Sequence, residues 1–219
     1  MEHFEKTLKI INDSIRSIHE EEFETLIRDC LDAISRRNKI IVSGLGKNVP
    51  ICEKFVGTLN SLGIPAAFMH TNSAVHGDLG LVGKNDLVIL LTKSGETEES
   101  IHLAKLLKKR HCKLWLLSFS RHSTLYREIP NRLIVDLEHE GDEWNLLPNN
   151  STLLNLIVLQ EVAMLVAKAL QIPIDVLKQN HPGGAIGISL TERDIYGRNK
   201  AIAPRPFMDS GFGRNDYQA

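Results

Sequence analysis

Apolar residues recur at every third or fourth position over the first part of the chain. Phe4, Leu8, Ile11, Ile15 and Ile18, then Phe23, Leu26, Ile27, Leu31 and Ile34, follow helical spacing, so residues 2–37 read as one helical segment with no strand before it. The pattern then changes. Lys39-Ile40-Ile41-Val42-Ser43 is a short, continuous apolar run that ends at Gly44, and Ala66–Met69, Leu87–Leu91, Leu114–Leu117 and Leu133–Val135 repeat the type. Unbroken rather than alternating runs predict parallel strands covered on both faces. Helical patterns over 49–62, 97–110 and, more weakly, 122–128 separate them, and a long apolar helix is expected over 151–170. Strands alternating with helices predict an α/β fold, a doubly wound parallel sheet of about five strands. Residues 188–219 are mostly polar, with prolines and glycines, and read as a loosely packed tail or as an arm laid over a neighbouring subunit.

Composition narrows the function. The 219 residues suit one α/β domain, and the formal net charge of −1 gives no bulk attraction for nucleic acid or an anionic membrane. Any anionic ligand must therefore be held by a local site. Cys30, Cys52 and Cys112 are far apart, which argues against a disulfide framework or a cysteine zinc site. No leader peptide is expected from the charged first residues, and no run of about 18 apolar residues is expected to span a membrane. A reducing cytoplasm is the expected location.

The candidate chemistry falls just past the strand ends, where such sheets bind ligands. Ser43-Gly44-Leu45-Gly46-Lys47 follows the first strand, its glycines allowing a tight turn and close backbone approach and its lysine adding a charge. By itself it also fits a plain strand-to-helix turn. Thr92-Lys93-Ser94-Gly95-Glu96-Thr97-Glu98-Glu99 follows the third strand. Three hydroxyls around a glycine at a helix start suit a phosphate monoester, and a simple N-cap accounts for only one of them. His70, His76 and Asp78 follow the second strand, where the lack of a further ligand cluster favours a structural or substrate-polarising role over a metal. Glu140 lies in an acidic loop, and His181 precedes Pro182-Gly183-Gly184 on a shaped one.

Taken in order, Gly44-Leu45-Gly46-Lys47, His76-Gly77-Asp78-Leu79-Gly80, Ser94-Gly95-Glu96-Thr97-Glu98-Glu99 and His181-Pro182-Gly183-Gly184-Ala185-Ile186-Gly187 resemble the sugar-isomerase (SIS) domain of the arabinose-5-phosphate isomerase family, over about residues 35–190. The resemblance implies a helical segment at 1–37, a single SIS domain at 38–190 and a tail at 191–219. It implies a five-stranded parallel sheet flanked by helices, doubly wound and flavodoxin-like. It also implies a homotetramer with active sites built from more than one subunit. The family's catalytic lysine, two glutamates and histidine fall on Lys47, Glu99, Glu140 and His181. Substrate or phosphate contacts fall on Ser43, Gly44, His76, Thr92, Ser94, Gly95, Thr97, Ser151 and Thr152.

The implied reaction interconverts ribulose 5-phosphate and arabinose 5-phosphate, for synthesis of the acid sugar Kdo, with no cofactor and no obligatory metal. Glu140 or Glu99 would move the carbon-bound proton, His181 would open the ring or move protons between oxygens, and Lys47 would act as an electrostatic clamp. A non-catalytic phosphosugar-binding regulator and an isomerase of C6 or C7 sugar phosphates are the alternatives. The chain departs from the family pattern in three places. Many relatives carry paired CBS modules after this point, and none is expected in the 32 residues that follow Gly187 here. The phosphate loop reads Thr92-Lys93-Ser94-Gly95 instead of S-N-S-G. Residues 141–150 replace a compact apolar segment and are expected to line the pocket, with Trp144 as an apolar wall, Asn145, Asn149 and Asn150 for hydroxyl recognition, and Asp142 and Glu143 away from Ser94.

Overall fold

The computed structural model describes residues 1–195. The five apolar runs pair into one all-parallel sheet: β1 (Ile40–Gly44), β2 (Ala66–His70), β3 (Leu87–Leu91), β4 (Lys113–Ser118) and β5 (Asn131–Ile134), in the order β2-β1-β3-β4-β5. Ile40 pairs with Ala66 on one side and Leu87 on the other, and Leu87 in turn with Lys113. Every residue of β1 and β3 is buried.

Successive side chains serve opposite faces of the sheet. Ile40 and Val42 of β1, Leu87, Ile89 and Leu91 of β3, and Trp115 and Leu117 of β4 enter one core. It is closed by α2 (Glu20–Ser35), α3 (Val49–Ser61) and α6 (Asn150–Ala169). Ile41, Val88, Leu90, Leu114 and Leu116 enter the other core, under α4 (Glu98–Lys108) and α5 (Thr124–Glu128).

The segment read as one helix over 2–37 is two helices, α1 (Glu2–Arg16) and α2. The break falls at Ser17–His19. Ser17 Oγ donates to Ser14 O at 2.7 Å and accepts from Asp136 N at 2.9 Å, which ties the turn to the chain just past β5. Glu20, Glu21 and Glu22 then open α2, where the helix dipole favours negative charge. Helix α6 packs against α1, α2 and α3. By length and composition it is long and apolar enough to cross a membrane, contrary to the expectation that no segment is. Leu154, Val158, Leu159, Val162, Ala163 and Val166 are instead buried in the core, as in a central helix of a globular domain. Two further helices, α7 (Ile174–Asn180) and α8 (Gly184–Ile195), follow. The stretch expected as tail from 188 thus begins as helix. The rest of that tail, with its suggested reach over a neighbour, lies outside the described residues.

The edge of the sheet away from the candidate site hangs on Asp86, which is buried just before β3. Its carboxylate accepts from Lys39 N at 3.1 Å and Gly83 N at 2.7 Å, and pairs with Lys39 Nζ at 2.7 Å. Its carbonyl accepts from Lys113 N at 2.8 Å. The carboxylate thus aligns the entries to β1 and β3, and the backbone of the same residue holds the entry to β4. Asp86→Ala is expected to cost about 3–5 kcal/mol in urea unfolding, the loss usual when one partner of a buried ion pair is removed. A loss below about 0.5 kcal/mol, typical of an indifferent surface site, would contradict this role.

Candidate active site

Three chain segments converge at the carboxyl edge of the sheet, where β1 and β3 lie side by side and their connections leave in opposite directions. Gly44 closes β1. A Cβ there would sit 2.9 Å from Asn48 Cβ and 3.1 Å from Cys52 Sγ, so only glycine lets α3 start this close to the strand. Lys47 stands exposed on a single 3₁₀ turn, Gly46–Asn48, with no side-chain partner among the described residues. Asn48 Oδ1 accepts from Asn155 Nδ2 at 3.0 Å and fastens this turn to α6. Ser43 is fully buried, and its hydroxyl shares a 3.0 Å hydrogen bond with Thr71 Oγ1.

The Thr92–Thr97 loop is internally braced. Thr92 Oγ1 accepts from Gly95 N at 3.2 Å, and Ser94 Oγ accepts from Glu96 N at 3.1 Å. Both hydroxyls keep their O–H to donate, and phosphate oxygens only accept. Thr97 is the N-cap of α4, and its side chain makes no capping bond, so its hydroxyl is uncommitted. Gly95 has φ +68°, and a Cβ would fall 2.2 Å from Ser123 Oγ. The loop therefore rests directly on the turn into α5.

Glu140 is the third component, and it is fully buried. Its Oε2 accepts from Ser151 N at 2.9 Å and Asn149 N at 3.0 Å at the start of α6. Its Oε1 faces the Lys93 ammonium at 2.7 Å as an ion pair, with no further hydrogen-bond partner among the described residues. Burial pushes this carboxyl's pKa up, but the Lys93 ammonium, the N–H and hydroxyl of Ser151 and the N–H of Asn149 together outweigh it and hold the pKa below its ordinary value. A pocket of about 400 Å³ opens beside the pair, lined among others by Lys93, Ser94, Phe119, Leu137 and Asn145.

The 141–150 segment frames Glu140 more than it faces the pocket. Asn145 Oδ1 accepts from Glu140 N at 2.8 Å, Asn149 Nδ2 donates to Glu140 O at 3.1 Å, and Asn150 Nδ2 donates to His139 O at 2.9 Å. Asp142 turns back on its own loop and accepts from the N–H groups of Trp144, Leu146 and Leu147. Trp144, expected as an apolar wall, is 66% exposed, and Asn145 is the member of the segment that lines the pocket.

The remaining expected residues do not all meet here. Glu99, in the first turn of α4, and His76, on a 3₁₀ turn after β2, are exposed. Ser151 contributes its backbone N–H, whereas Thr152 Oγ1 donates to Asn149 O at 2.8 Å. His181 caps α7, with Nδ1 2.7 Å from Leu177 O. The neighbouring Asn180 Nδ2 donates to Asn60 O and Ser61 O at the far end of α3. That helix starts beside Gly44 and runs back along the sheet, so His181 lies about 20 Å from the carboxyl edge at 1.5 Å per residue. No group of three or more His, Cys, Asp or Glu residues placed to hold a metal is found among the described residues. Sequence reasoning missed Lys93 as a partner of Glu140. The available signal was a cation inside an otherwise hydroxyl-rich loop.

Glu140 gives a pH signature. Its folded-state pKa lies below the ordinary 4.5, so its charge contributes stability that is complete above that pH and is lost as pH falls through the folded value. Wild type and Glu140→Gln should differ most near neutral pH in urea unfolding and converge under acid. A gap that stays constant with pH would show that the charge is not what is being stabilised.

The SIS domain family matches residues 33–165, more than half of the chain. Arabinose 5-phosphate isomerase KdsD of Escherichia coli K12 is 34% identical over 157 residues, covering 72% of this chain and 48% of that protein. KdsD of Pseudomonas aeruginosa is 28% identical over 183 residues, covering 84% and 56%. The chain thus spans about half the length of these curated relatives. Among solved structures, an Escherichia coli CFT073 protein in complex with arabinose 5-phosphate superposes with a TM-score of 0.76 at 33% identity, covering 83% of this chain and 95% of that one. With its five-stranded parallel sheet and its hydroxyl-rich loop at the carboxyl edge, the chain belongs to the SIS domain family.

Proposed function

We propose that the chain is an aldose–ketose isomerase of sugar phosphates, and that its substrate pair is ribulose 5-phosphate and arabinose 5-phosphate, on the route to Kdo. One observation carries this reading: a fully buried, ionised carboxylate, Glu140, is paired at 2.7 Å with Lys93, which lines a pocket together with Ser94 of the Thr92–Thr97 loop. The names of the relatives and the sugar phosphate bound to the E. coli structure support the substrate class.

The phosphoryl group would rest on the Ser94 and Thr97 hydroxyls and the start of α4. Glu140 would take the proton from C2 of the open-chain aldose. The C2–H pair becomes the C1=C2 bond, and the carbonyl pair moves to O1, which is protonated to give the enediol. Loss of the O2 proton and return of the carried proton to C1 then yield the ketose. Glu140 is preferred to Glu99 as the base because it is buried and fixed by two N–H groups, whereas Glu99 is exposed.

His181 reaches such a site only from a second copy. Exposed Phe4 and Leu8 on α1, and Leu153, Ile157 and Met164 on the adjacent α6, supply apolar surface for a homotetramer.

Proton NMR of the purified protein with either pentose phosphate should show the other appearing without added cofactor. No conversion of any pentose phosphate by well-folded protein would sink the reading. Glu140→Gln and His181→Ala should each lower kcat at least about 100-fold, and Ser94→Ala should act chiefly on KM. Light scattering should return a tetramer mass, and a monomer at micromolar concentration would refute the shared site.

A further inference from the structure

Lys93 takes no part in the reaction as drawn, yet it covers the atom that must act. Its backbone is pinned, with its carbonyl oxygen accepting from Ser118 Oγ at 3.1 Å and Phe119 N at 3.3 Å. Its side chain is 41% exposed at the pocket edge, next to Ser94, so the ammonium can move while the loop stays put. That ammonium lies 2.7 Å from Oε1, the Glu140 oxygen that the backbone N–H groups leave open. An oxygen covered in this way is poorly placed to accept a carbon-bound proton.

We propose that Lys93 is a ligand-displaced clamp: in the empty site it holds Glu140, and a phosphoryl group seated on the Thr92–Thr97 loop draws its ammonium away and frees Oε1 to act as the base. The ligand's identity rests on the isomerase reading, but the displacement itself needs only a dianion at that loop. A phosphoryl dianion offers more charge and more acceptor oxygens than one carboxylate, on the wet side of the ammonium. Glu140 stays in place because Ser151 N and Asn149 N keep Oε2. Burial, no longer opposed by the cation, then raises its affinity for a proton. The other charged groups nearby do not replace the clamp. His139 Nδ1 accepts from Gly141 N, Glu138 sits at the pocket edge, Asp142 faces its own loop, and Arg121 pairs with Asp136. Lys93 is a positioning residue, and it ties activation of the base to occupancy of the phosphate loop.

The test follows the Glu140 carboxyl by carbon-13 NMR in the full chain, with Glu140→Gln identifying the signal and sulfate as the dianion probe. In wild type, sulfate should raise the proton affinity of Glu140 about tenfold or more. In Lys93→Met the affinity should be high without sulfate, and sulfate should add less than about threefold. Lys93→Arg should behave as wild type, which a merely space-filling role would not require. With substrate, the acid limb of kcat should lie at higher pH than that of kcat/KM in wild type, and the two should coincide in Lys93→Met. An unmoved titration in wild type, or an equal shift in Lys93→Met, overturns the clamp even if the protein isomerises sugars. The expected titration in a protein that turns over no pentose phosphate keeps the clamp and removes the isomerase reading.

Discussion

A strand covered on both faces has nowhere along its length to keep a polar side chain without a partner. Strands β1 and β3 are in that position from end to end, and Ser43, the one hydroxyl within them, is closed off by Thr71. Polar chemistry is therefore pushed to the strand ends. The parallel arrangement puts all five carboxyl ends on one edge, so Gly44, Thr92 and the chain leading to Glu140 arrive together. The amino ends collect on the other edge, where Asp86 performs a purely architectural task.

At the carboxyl edge the difficult element is a buried charge. Taking a carboxylate out of water costs several kcal/mol unless it is paired and hydrogen-bonded. Here one oxygen rests on two backbone N–H groups at the start of α6, where the helix dipole also favours a negative charge, and the other faces an ammonium. The asparagines at 145, 149 and 150 hold the backbone on either side of Glu140, so the carboxylate has little freedom to relax toward solvent.

The sheet was legible in the sequence because a doubly buried strand writes a continuous run of apolar residues, and nothing else of that length occurred between the helical patterns. The break between α1 and α2 was not, since Ile18 keeps the helical spacing across it and the reason for the turn, Ser17 bonded to Asp136, is more than a hundred residues away in the chain. The Thr92–Thr97 loop could be read because its hydroxyls are local. The pairing of Lys93 with Glu140 could not, because it depends on how β4 and β5 space two loops that are distant in sequence. Trp144 shows the opposite error: its residue type suggested a pocket wall, but the Asp142-centred turn directs the chain so that Asn145 faces the pocket and the indole faces water.

That same turn has an evolutionary consequence. The shape of residues 142–147 is set by the Asp142 carboxylate and backbone N–H groups, while the side chains of Trp144, Leu146 and Leu147 are exposed and carry none of the closure. These three positions are therefore free to drift or be selected without unfolding the frame that holds Glu140. Selection can rewrite the solvent-facing surface of this loop by side-chain replacement alone and leave the chemistry beneath it intact.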